Sequence, residues 1–350
     1  MIMKKRKGIF QLILAMLLVV TMLAGLTACG KKKDSKEIAT SENGSGTEEA
    51  PVDEAGTVTR VGSLKGPTTM GLVNLMVSNE EASCEGKYDF RIEAQPDALV
   101  SAFVAGEIDV ALVPANLASV LYNKTEGQAE VLYINTLGVL YCVTGDDSIH
   151  SIKDLAGKTV LSTGQGATPE YALNYLLKEN GVTDCKVEFK SEATEIAALL
   201  QEDPKQIAIL PQPFVTVAEM QNDQLKTVFS FVDEWDALNN GSKFLTGVTV
   251  VRKEFLEEHS IAVSAFLRDA SDSASRAVND VPGTAALVVK YGIIEKDKVA
   301  EKAIPECSIC FIDKDEMKSA LSGYLQVLYD QDPKSVGGKL PADDFYYLGE

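Results

Sequence analysis

Histidine and tryptophan are scarce in this sequence of 350 residues, and acidic side chains outnumber basic ones. The two histidines, His150 and His259, leave little material for a His-rich metal site or a histidine-centred proton relay. Asp and Glu number 51 against 33 Lys and Arg, and the net charge of -18 repels phosphate backbones. Nucleic acid is therefore not expected as a partner, and most hydrolase chemistries are disfavoured. A composition of 45% hydrophobic and 24% charged residues excludes disorder of the whole chain and suffices for two domains.

The first 28 residues are typical of a bacterial targeting segment. Four basic residues, Lys4–Lys7, precede an apolar run from residue 9 to about 26. The run ends in Leu26-Thr27-Ala28-Cys29-Gly30, which resembles the lipobox of bacterial lipoproteins, where cleavage occurs before a lipid-modified cysteine. The alternative is a membrane-spanning helix, since the run approaches the length needed to cross a bilayer. We expect a lipoprotein signal peptide over residues 1–28 and a lipid on Cys29.

Residues 29–56 are predicted to form a flexible tether. Lys, Ser, Glu, Gly and Thr dominate this segment, and almost no large apolar side chain offsets the entropy of ordering it. The mature protein is therefore expected outside the cytoplasm, held at the cell membrane by its N-terminal lipid.

Two units with the same order of elements follow, about a hundred residues apart. Predicted strands begin near residues 59, 88 and 108 in the first unit and near 158, 186 and 206 in the second. The first helix of each unit is opened by a Gly/Thr-rich turn, Gly66–Thr69 or Gly164–Pro169, and the first of these helices is expected to run through Met76. Asp97 and Thr194 are expected to cap the second helix of each unit. A βαβαβ order predicts parallel sheets covered by helices, here as two Rossmann-like α/β lobes. The alternative is chance, because loops and helices have preferred lengths.

Two stretches of β-forming residues are expected to connect the lobes. Leu132–Thr144 leaves the first unit, and Thr246–Arg252 follows the second. We expect these crossovers to form a two-strand hinge, with lobe 1 over residues 57–143 and 247–350 and lobe 2 over residues 144–246. The helical C-terminal part is expected to return to lobe 1.

Four short segments, together with the lipobox and the tether, give the chain a family resemblance over residues 57 to about 335. The segments are Val61–Thr68, Ala105–Ala111, Ile152–Lys158 and Gly247–Val251. The chain resembles a substrate-binding lipoprotein of an ABC importer, in the group that includes sulfonate, taurine, nitrate and thiamine-precursor binding proteins. The resemblance implies a type II periplasmic-binding-protein fold that closes on a small polar ligand. It also implies a membrane permease as partner, a monomer and no cofactor, metal or catalytic residue.

The carboxyl ends of the strands are the expected ligand site, as in other open α/β sheets. Helix-opening amides can donate to ligand oxygens, threonine hydroxyls can add hydrogen bonds, and one lysine can neutralise an anion. The candidate ligand-binding residues are Lys65, Gly66, Thr68, Thr69, Asn116, Thr136, Gln165, Gly166, Thr168 and Gln212. Alternatives stay open: the threonines as helix N-caps, the lysine as a solvated side chain, and the amides as turn residues.

Trp235 lies ahead of the second crossover and is expected to pack against the hinge, although an aromatic wall for a ring-shaped ligand is an alternative. Lys243 and Phe244 are weaker candidates. Cys307 and Cys310 have a zinc-like or redox-like spacing, but no second pair or nearby histidine completes a ligand set. These two cysteines, like Cys84, Cys142 and Cys185, are expected to be small apolar residues.

Two further functions are alternatives to import. The same broad family includes a pyrimidine-forming enzyme of thiamine synthesis, which depends on a cysteine-rich iron motif and active-site histidines. Nothing in this sequence matches such a cysteine cluster, so a non-enzymatic protein is expected. A sensory or adhesive lipoprotein that uses the same closing lobes is the other alternative.

Overall fold

A computed structural model describes residues 56–349 of the chain. The predicted signal peptide, Cys29 and the tether up to residue 55 lie outside the described residues. In chain order the strands and α-helices are β1 (Val58–Leu64), α1 (Pro67–Met70), α2 (Val73–Glu80), β2 (Lys87–Glu93), α3 (Pro96–Val104), β3 (Val110–Pro114), α4 (Ala115–Lys124), β4 (Ala129–Leu137), β5 (Leu140–Thr144), β6 (Thr159–Ser162), α5 (Thr168–Glu179), β7 (Lys186–Phe189), α6 (Ala193–Glu202), β8 (Ile207–Pro211), α7 (Phe214–Gln221), β9 (Lys226–Ser230), α8 (Phe231–Asp236), β10 (Leu245–Arg252), α9 (Lys253–Glu258), α10 (Ser260–Asn279), α11 (Val281–Lys290), α12 (Asp297–Ala303), β11 (Ile309–Asp313) and α13 (Lys314–Gln331). Short 3₁₀ helices occupy Ile152–Leu155, Ile304–Glu306, Pro333–Val336 and Asp343–Phe345.

The strands form two separate open sheets. The first sheet has the order β11-β4-β10-β3-β1-β2, and the second has the order β7-β6-β8-β5-β9. The strands of each βαβαβ unit pair in parallel, β1 with β2 and β3, and β6 with β7 and β8. Strands β10 and β5 join these parallel sets in antiparallel fashion. The predicted α/β fold with two similar lobes is confirmed.

The bounds of the helices differ more from the predicted ones than the bounds of the strands do. The helix expected from Gly66 through Met76 is two helices, because α1 ends at Met70 with Gly71 as its C-cap and α2 begins at Val73. Gly71 lies so close to β11 that an added Cβ would be 3.2 Å from the Ile309 side chain. The break therefore brings the chain against a strand that lies more than two hundred residues later.

Two predicted N-caps were also wrong. Asp97 lies in the first turn of α3, which is capped by Gln95 because Pro96 suits the first helical position. Thr194 lies inside α6, whose N-cap is the extended residue Glu192. Both errors are small shifts within a correctly placed helix.

The chain passes between the two sheets twice. It leaves the first sheet after β4, crosses through Gly138 and Val139, and enters the second sheet as β5. It returns through α8 and the segment up to residue 244, and β10 then lies wholly in the first sheet. The β-forming run Leu132–Thr144 is thus two strands of different sheets, although residues up to 143 were assigned to lobe 1. The sequence pattern does not mark the change, because strand-forming residues flank Gly138 on both sides.

An aromatic cluster packs against the crossings. Phe244 is fully buried, and its ring centroid lies 5.6 Å from Trp235, 5.8 Å from Phe231 and 6.1 Å from Tyr324 of α13. The Trp235 indole donates a hydrogen bond of 2.8 Å to the Ser242 hydroxyl. Trp235 is 0% exposed and packs on Phe244 beside the second crossing, which agrees with the expectation of a packing residue rather than an aromatic ligand wall.

The C-terminal part returns to the first sheet, as expected. Strand β11 pairs with β4, and α10 packs on β1 and β11. Helix α13 contacts α4 and β4 on the first lobe and α5 on the second. Within residues 56–349, none of the helices combines the length and the apolar character needed to cross a membrane.

Candidate functional site

The carboxyl ends of the parallel strands lie beside the crossings in both lobes. Leu245 and Gly247, at the start of β10, pair with the ends of β4 and β3. At the start of β5, Leu140 pairs with Pro211 at the end of β8. The chain therefore crosses from one carboxyl edge to the other. The ten predicted ligand-binding residues all lie at or just beyond these two edges.

Two threonines in the first-lobe turn point their hydroxyls back to β1. Thr68 Oγ1 donates to the Leu64 carbonyl at 3.2 Å, and Thr69 Oγ1 contacts the same carbonyl and lies 2.9 Å from Ser63 Oγ. Both side chains are buried, and neither residue is the N-cap of α1. The N-cap alternative for Thr68 is therefore wrong. Their hydroxyl hydrogens are engaged within the turn, which leaves only the oxygen lone pairs for a ligand.

The remaining exposed polar group of this turn is Lys65, whose side chain reaches solvent. Gly66 follows it as the N-cap of α1, with a φ of 141° that favours glycine. Helix α1 has only four residues, so its dipole is small. The charge available to a ligand in this turn is therefore that of Lys65.

Thr136 and Asn116 are held by protein partners. Thr136 is 0% exposed and lies 2.8 Å from Asn135 Oδ1, and the Asn135 amide nitrogen donates to Thr249 at 3.1 Å. The Asn116 amide donates at 3.2 Å to the carbonyl of Ser335, in a 3₁₀ helix near the C-terminus. Both residues lie at the predicted edge, but in this structure their donors stabilise the fold.

The second-lobe turn contains an acidic side chain that sequence reasoning missed. Glu170, in the first turn of α5, accepts a hydrogen bond of 2.6 Å from the Gly166 amide. Gly166 has a φ of 71°, and its carbonyl accepts from the Tyr171 hydroxyl at 3.2 Å. The Glu170 carboxylate thus accepts the hydrogen bond that the Gly166 amide was expected to donate to a ligand. The neighbouring Gln165 is exposed.

Thr168 contacts the other lobe through α13. It follows Ala167, the N-cap of α5, so the N-cap alternative is wrong here as well. Burial raises the pKa of Tyr324, and a hydrogen bond between its hydroxyl and the Thr168 side chain opposes that shift. Further along α5, the Tyr171 hydroxyl donates to Asp332 at 3.2 Å. The first turn of α5 therefore lies beside α13, which also packs on the first lobe.

A polar cavity of about 700 Å³ lies where α7 and β9 of the second lobe meet α12 of the first. Gln212 contributes to its wall, as does the 3₁₀ residue Glu306. Beside it, the Tyr141 hydroxyl of β5 donates to the Glu306 carbonyl at 2.6 Å and links the lobes. Gln212 is the one predicted site residue among those that line this cavity. The other lining positions gave no sequence signal, because α7 and α12 are far apart in the chain.

The five cysteines of residues 56–349 are free thiols. Burial raises the pKa of Cys307 to about 12, and burial likewise raises the pKa of Cys310 to about 12. Thiols with such pKa values remain protonated at neutral pH and are poor metal ligands and nucleophiles. Cys307 is fully buried and Cys310 half-buried, which fits the interpretation of both as apolar residues.

Comparison with known proteins gives a consistent result. The family model described as NMT1/THI5 like matches residues 126–282, somewhat less than half of the chain. No curated protein matches this sequence. An ABC transporter structure from Parabacteroides distasonis is 21% identical with a TM-score of 0.70, and the match covers 84% of this chain and 100% of that one.

Two further solved structures share the fold. The periplasmic aliphatic sulphonate binding protein SsuA from Escherichia coli is 14% identical with a TM-score of 0.65, covering 83% of this chain and 92% of that one. The ligand-binding component of an ABC-type import system from Staphylococcus aureus, solved with zinc bound, is 18% identical with a TM-score of 0.60, covering 83% and 96%. The chain therefore has the periplasmic-binding-protein fold that the sequence resemblance implies.

Proposed function

We propose that this protein is an extracytoplasmic solute-binding protein that captures a small polar molecule between its two lobes and delivers it to an ABC importer. The observation that supports this most directly is the pair of crossings between two similar α/β sheets. Both crossings lie at carboxyl strand edges, where ligands bind in open α/β sheets. Because the lobes are joined by two neighbouring crossings, they can rotate toward each other about these segments, as in hinge-closing proteins.

We place the solute site at the two facing edges. Its members in the first lobe are Lys65, Gly66, Thr68, Thr69, Asn116 and Thr136, and those in the second are Gln165, Gly166, Thr168 and Gln212. Lys65 supplies exposed positive charge on one side, whereas Glu170 already fills an amide on the other. An anionic group of the solute would therefore bind on the Lys65 side.

Anchoring and delivery belong to the same proposal. The lipobox-like sequence ending in Cys29 and the polar segment after it would hold the binding domain near the membrane. A tether of some 25 residues has a typical reach of roughly 25–30 Å, enough for a domain to meet a permease in several orientations. The partner in this account is the importer's membrane subunit, and the protein acts as a monomer without a cofactor or catalytic residue.

A thermal-shift screen of sulfonates, nitrate, carboxylates and pyrimidines tests the proposal. A ligand present at 100 times its dissociation constant stabilises the protein by about 2.7 kcal/mol. Calorimetry then compares Lys65→Met with the matched control Lys87→Met. Lys87 is the first residue of β2 and therefore lies at the amino ends of the parallel strands, away from the proposed site. For an anionic solute, Lys65→Met weakens binding by about 1.5–3 kcal/mol and the control does not.

Two threonine variants extend this test. Thr68→Val and Thr168→Val are each expected to weaken binding by about 1 kcal/mol, after any loss of stability in the ligand-free variants is subtracted. If the Lys65, Thr68 and Thr168 variants all leave affinity within about 0.5 kcal/mol of the wild type, the site is not at these turns.

A further inference from the structure

The cavity between α7, β9 and α12 is lined by Gln212, a largely buried glutamine whose side-chain nitrogen donates to no described residue. Gln212 is 4% exposed, and its Oε1 accepts a 2.8 Å hydrogen bond from the Thr216 hydroxyl. The Thr216 backbone amide, which can only donate, faces the same oxygen at 3.4 Å. These two contacts define which end of the Gln212 carboxamide is the oxygen. The other end of the carboxamide is therefore the amide nitrogen, and because it is not among the fully buried polar atoms that lack a partner, it reaches solvent at the cavity wall.

This donor is informative because the residue that carries it is largely buried, while the protein leaves its nitrogen free to bind water or a ligand. The donor is also held in place, since Thr216 binds the other end of the amide and the Gln212 backbone N–H donates to the Val139 carbonyl in the first crossing at 3.0 Å. A rigid donor at a cavity wall suits an acceptor oxygen of a bound molecule.

Charges of both signs surround this donor. Lys226 of β9 and Lys302 of α12 contribute positive charge, and Glu219, Asp223 and Glu306 contribute negative charge. Glu219 Oε1 already accepts from Thr227, at 2.6 Å from its amide nitrogen and 2.9 Å from its hydroxyl. Neither sign dominates, so a purely anionic or purely cationic molecule would meet repulsion from one set of groups.

We propose that this cavity is a binding site for a small zwitterion, whose carboxylate-like oxygen accepts from the Gln212 amide beside Lys302 and whose ammonium group faces the acidic residues. The site includes residues of both lobes, and it does not require the first turns after β1 and β6. Occupancy would link α7 to α12 and so hold the lobes at one angle.

The probes are ω-amino acids from glycine to 6-aminohexanoate, each compared with the fatty acid and the alkylammonium ion of the same carbon number. Titration calorimetry on the full mature chain is expected to detect at least one amino acid that binds tenfold or more tightly than its single-charge analogues. Because the contacts are partly ionic, its affinity is expected to fall with added salt.

Two variants locate the site. Lys302→Met removes an exposed lysine that the first-turn site does not use, and Gln212→Leu removes the amide donor of a largely buried residue. Each is expected to weaken binding of the amino acid at least tenfold, whereas the control Gln128→Leu, an exposed glutamine between α4 and β4 that belongs to neither proposed site, leaves it unchanged. Lys302→Met keeps the test valid if Gln212→Leu destabilises the fold.

Absence of binding by every amino acid of the series overturns this inference, as does binding that Lys302→Met leaves unchanged. Equal affinity for the single-charge analogues overturns the ligand class. These outcomes are distinct from failure of the solute-binding proposal, which is judged with the Lys65, Thr68 and Thr168 variants.

Discussion

Adding one methyl group at the first crossing should destabilise the protein strongly. A Cβ built on Gly138 would lie 3.0 Å from Cγ of Phe244 and closer still to Cδ1 and Cε1 of the same ring. The ring cannot move aside easily, because it is 1% exposed and Trp235, Phe231 and Tyr324 surround it. Overpacking of a filled core costs about 1–3 kcal/mol, and the rigid aromatic surroundings place Gly138→Ala near 3 kcal/mol.

The measurement is urea unfolding of the wild type, Gly138→Ala, Phe244→Leu and the double variant. Gly138→Ala is expected to lower the midpoint without changing the slope. Phe244→Leu alone should cost about 1–2 kcal/mol, as a smaller side chain leaves unfilled space. In the double variant, the leucine at position 244 leaves room for the new methyl group. The loss of unfolding free energy should therefore be smaller than the sum of the two single losses, by about 1 kcal/mol or more.

A free energy of unfolding for Gly138→Ala within about 0.5 kcal/mol of the wild type would refute this reasoning. Additive effects in the double variant would contradict it too, because they would place the cost away from the Phe244 contact.

Two other predictions concern charge and anchoring. Asp109 is 1% exposed; burial tends to raise its pKa, but hydrogen bonds from Arg60 and Arg252 outweigh burial and lower it. Asp109→Asn should therefore lower the free energy of unfolding by about 2–3 kcal/mol at pH 7. The difference from the wild type, measured by chemical unfolding, should shrink as the pH falls below about 4, because the stabilisation by a carboxylate with a lowered pKa is lost when that carboxylate is protonated. A difference that grows as the pH falls would contradict this. Cys29→Ala should block processing or release the protein from membranes in cell fractionation, and unchanged processing and fractionation would oppose the lipoprotein assignment.

Local patterns allowed most of the fold to be predicted. Alternating strands and helices, with Gly and Pro in the turns, gave both βαβαβ units, and their strands lie within a few residues of the predicted positions. The exact change of sheet at Gly138 was not predictable, because it depends on the Phe244 ring that packs there from a segment about a hundred residues later.

The positions of the candidate site residues were predictable from the sequence, but their hydrogen-bond partners were not. Strand order alone places Lys65 and Gln212 at the facing edges. The directions of the Thr68 and Thr69 hydroxyls depend on the β1 carbonyl at Leu64, and the filled amide at Gly166 depends on how Glu170 folds back. The partners of the cavity, such as Thr216 and Lys302, meet only in the folded chain.

Closure of the two lobes around a bound solute is the central claim, and small-angle scattering measures it most directly. The mature chain is studied without ligand and with a saturating compound whose binding calorimetry has established. A smaller radius of gyration is expected with the compound, because the lobes rotate together about the segments next to Gly138 and Phe244. The same radius with and without the bound compound would contradict it.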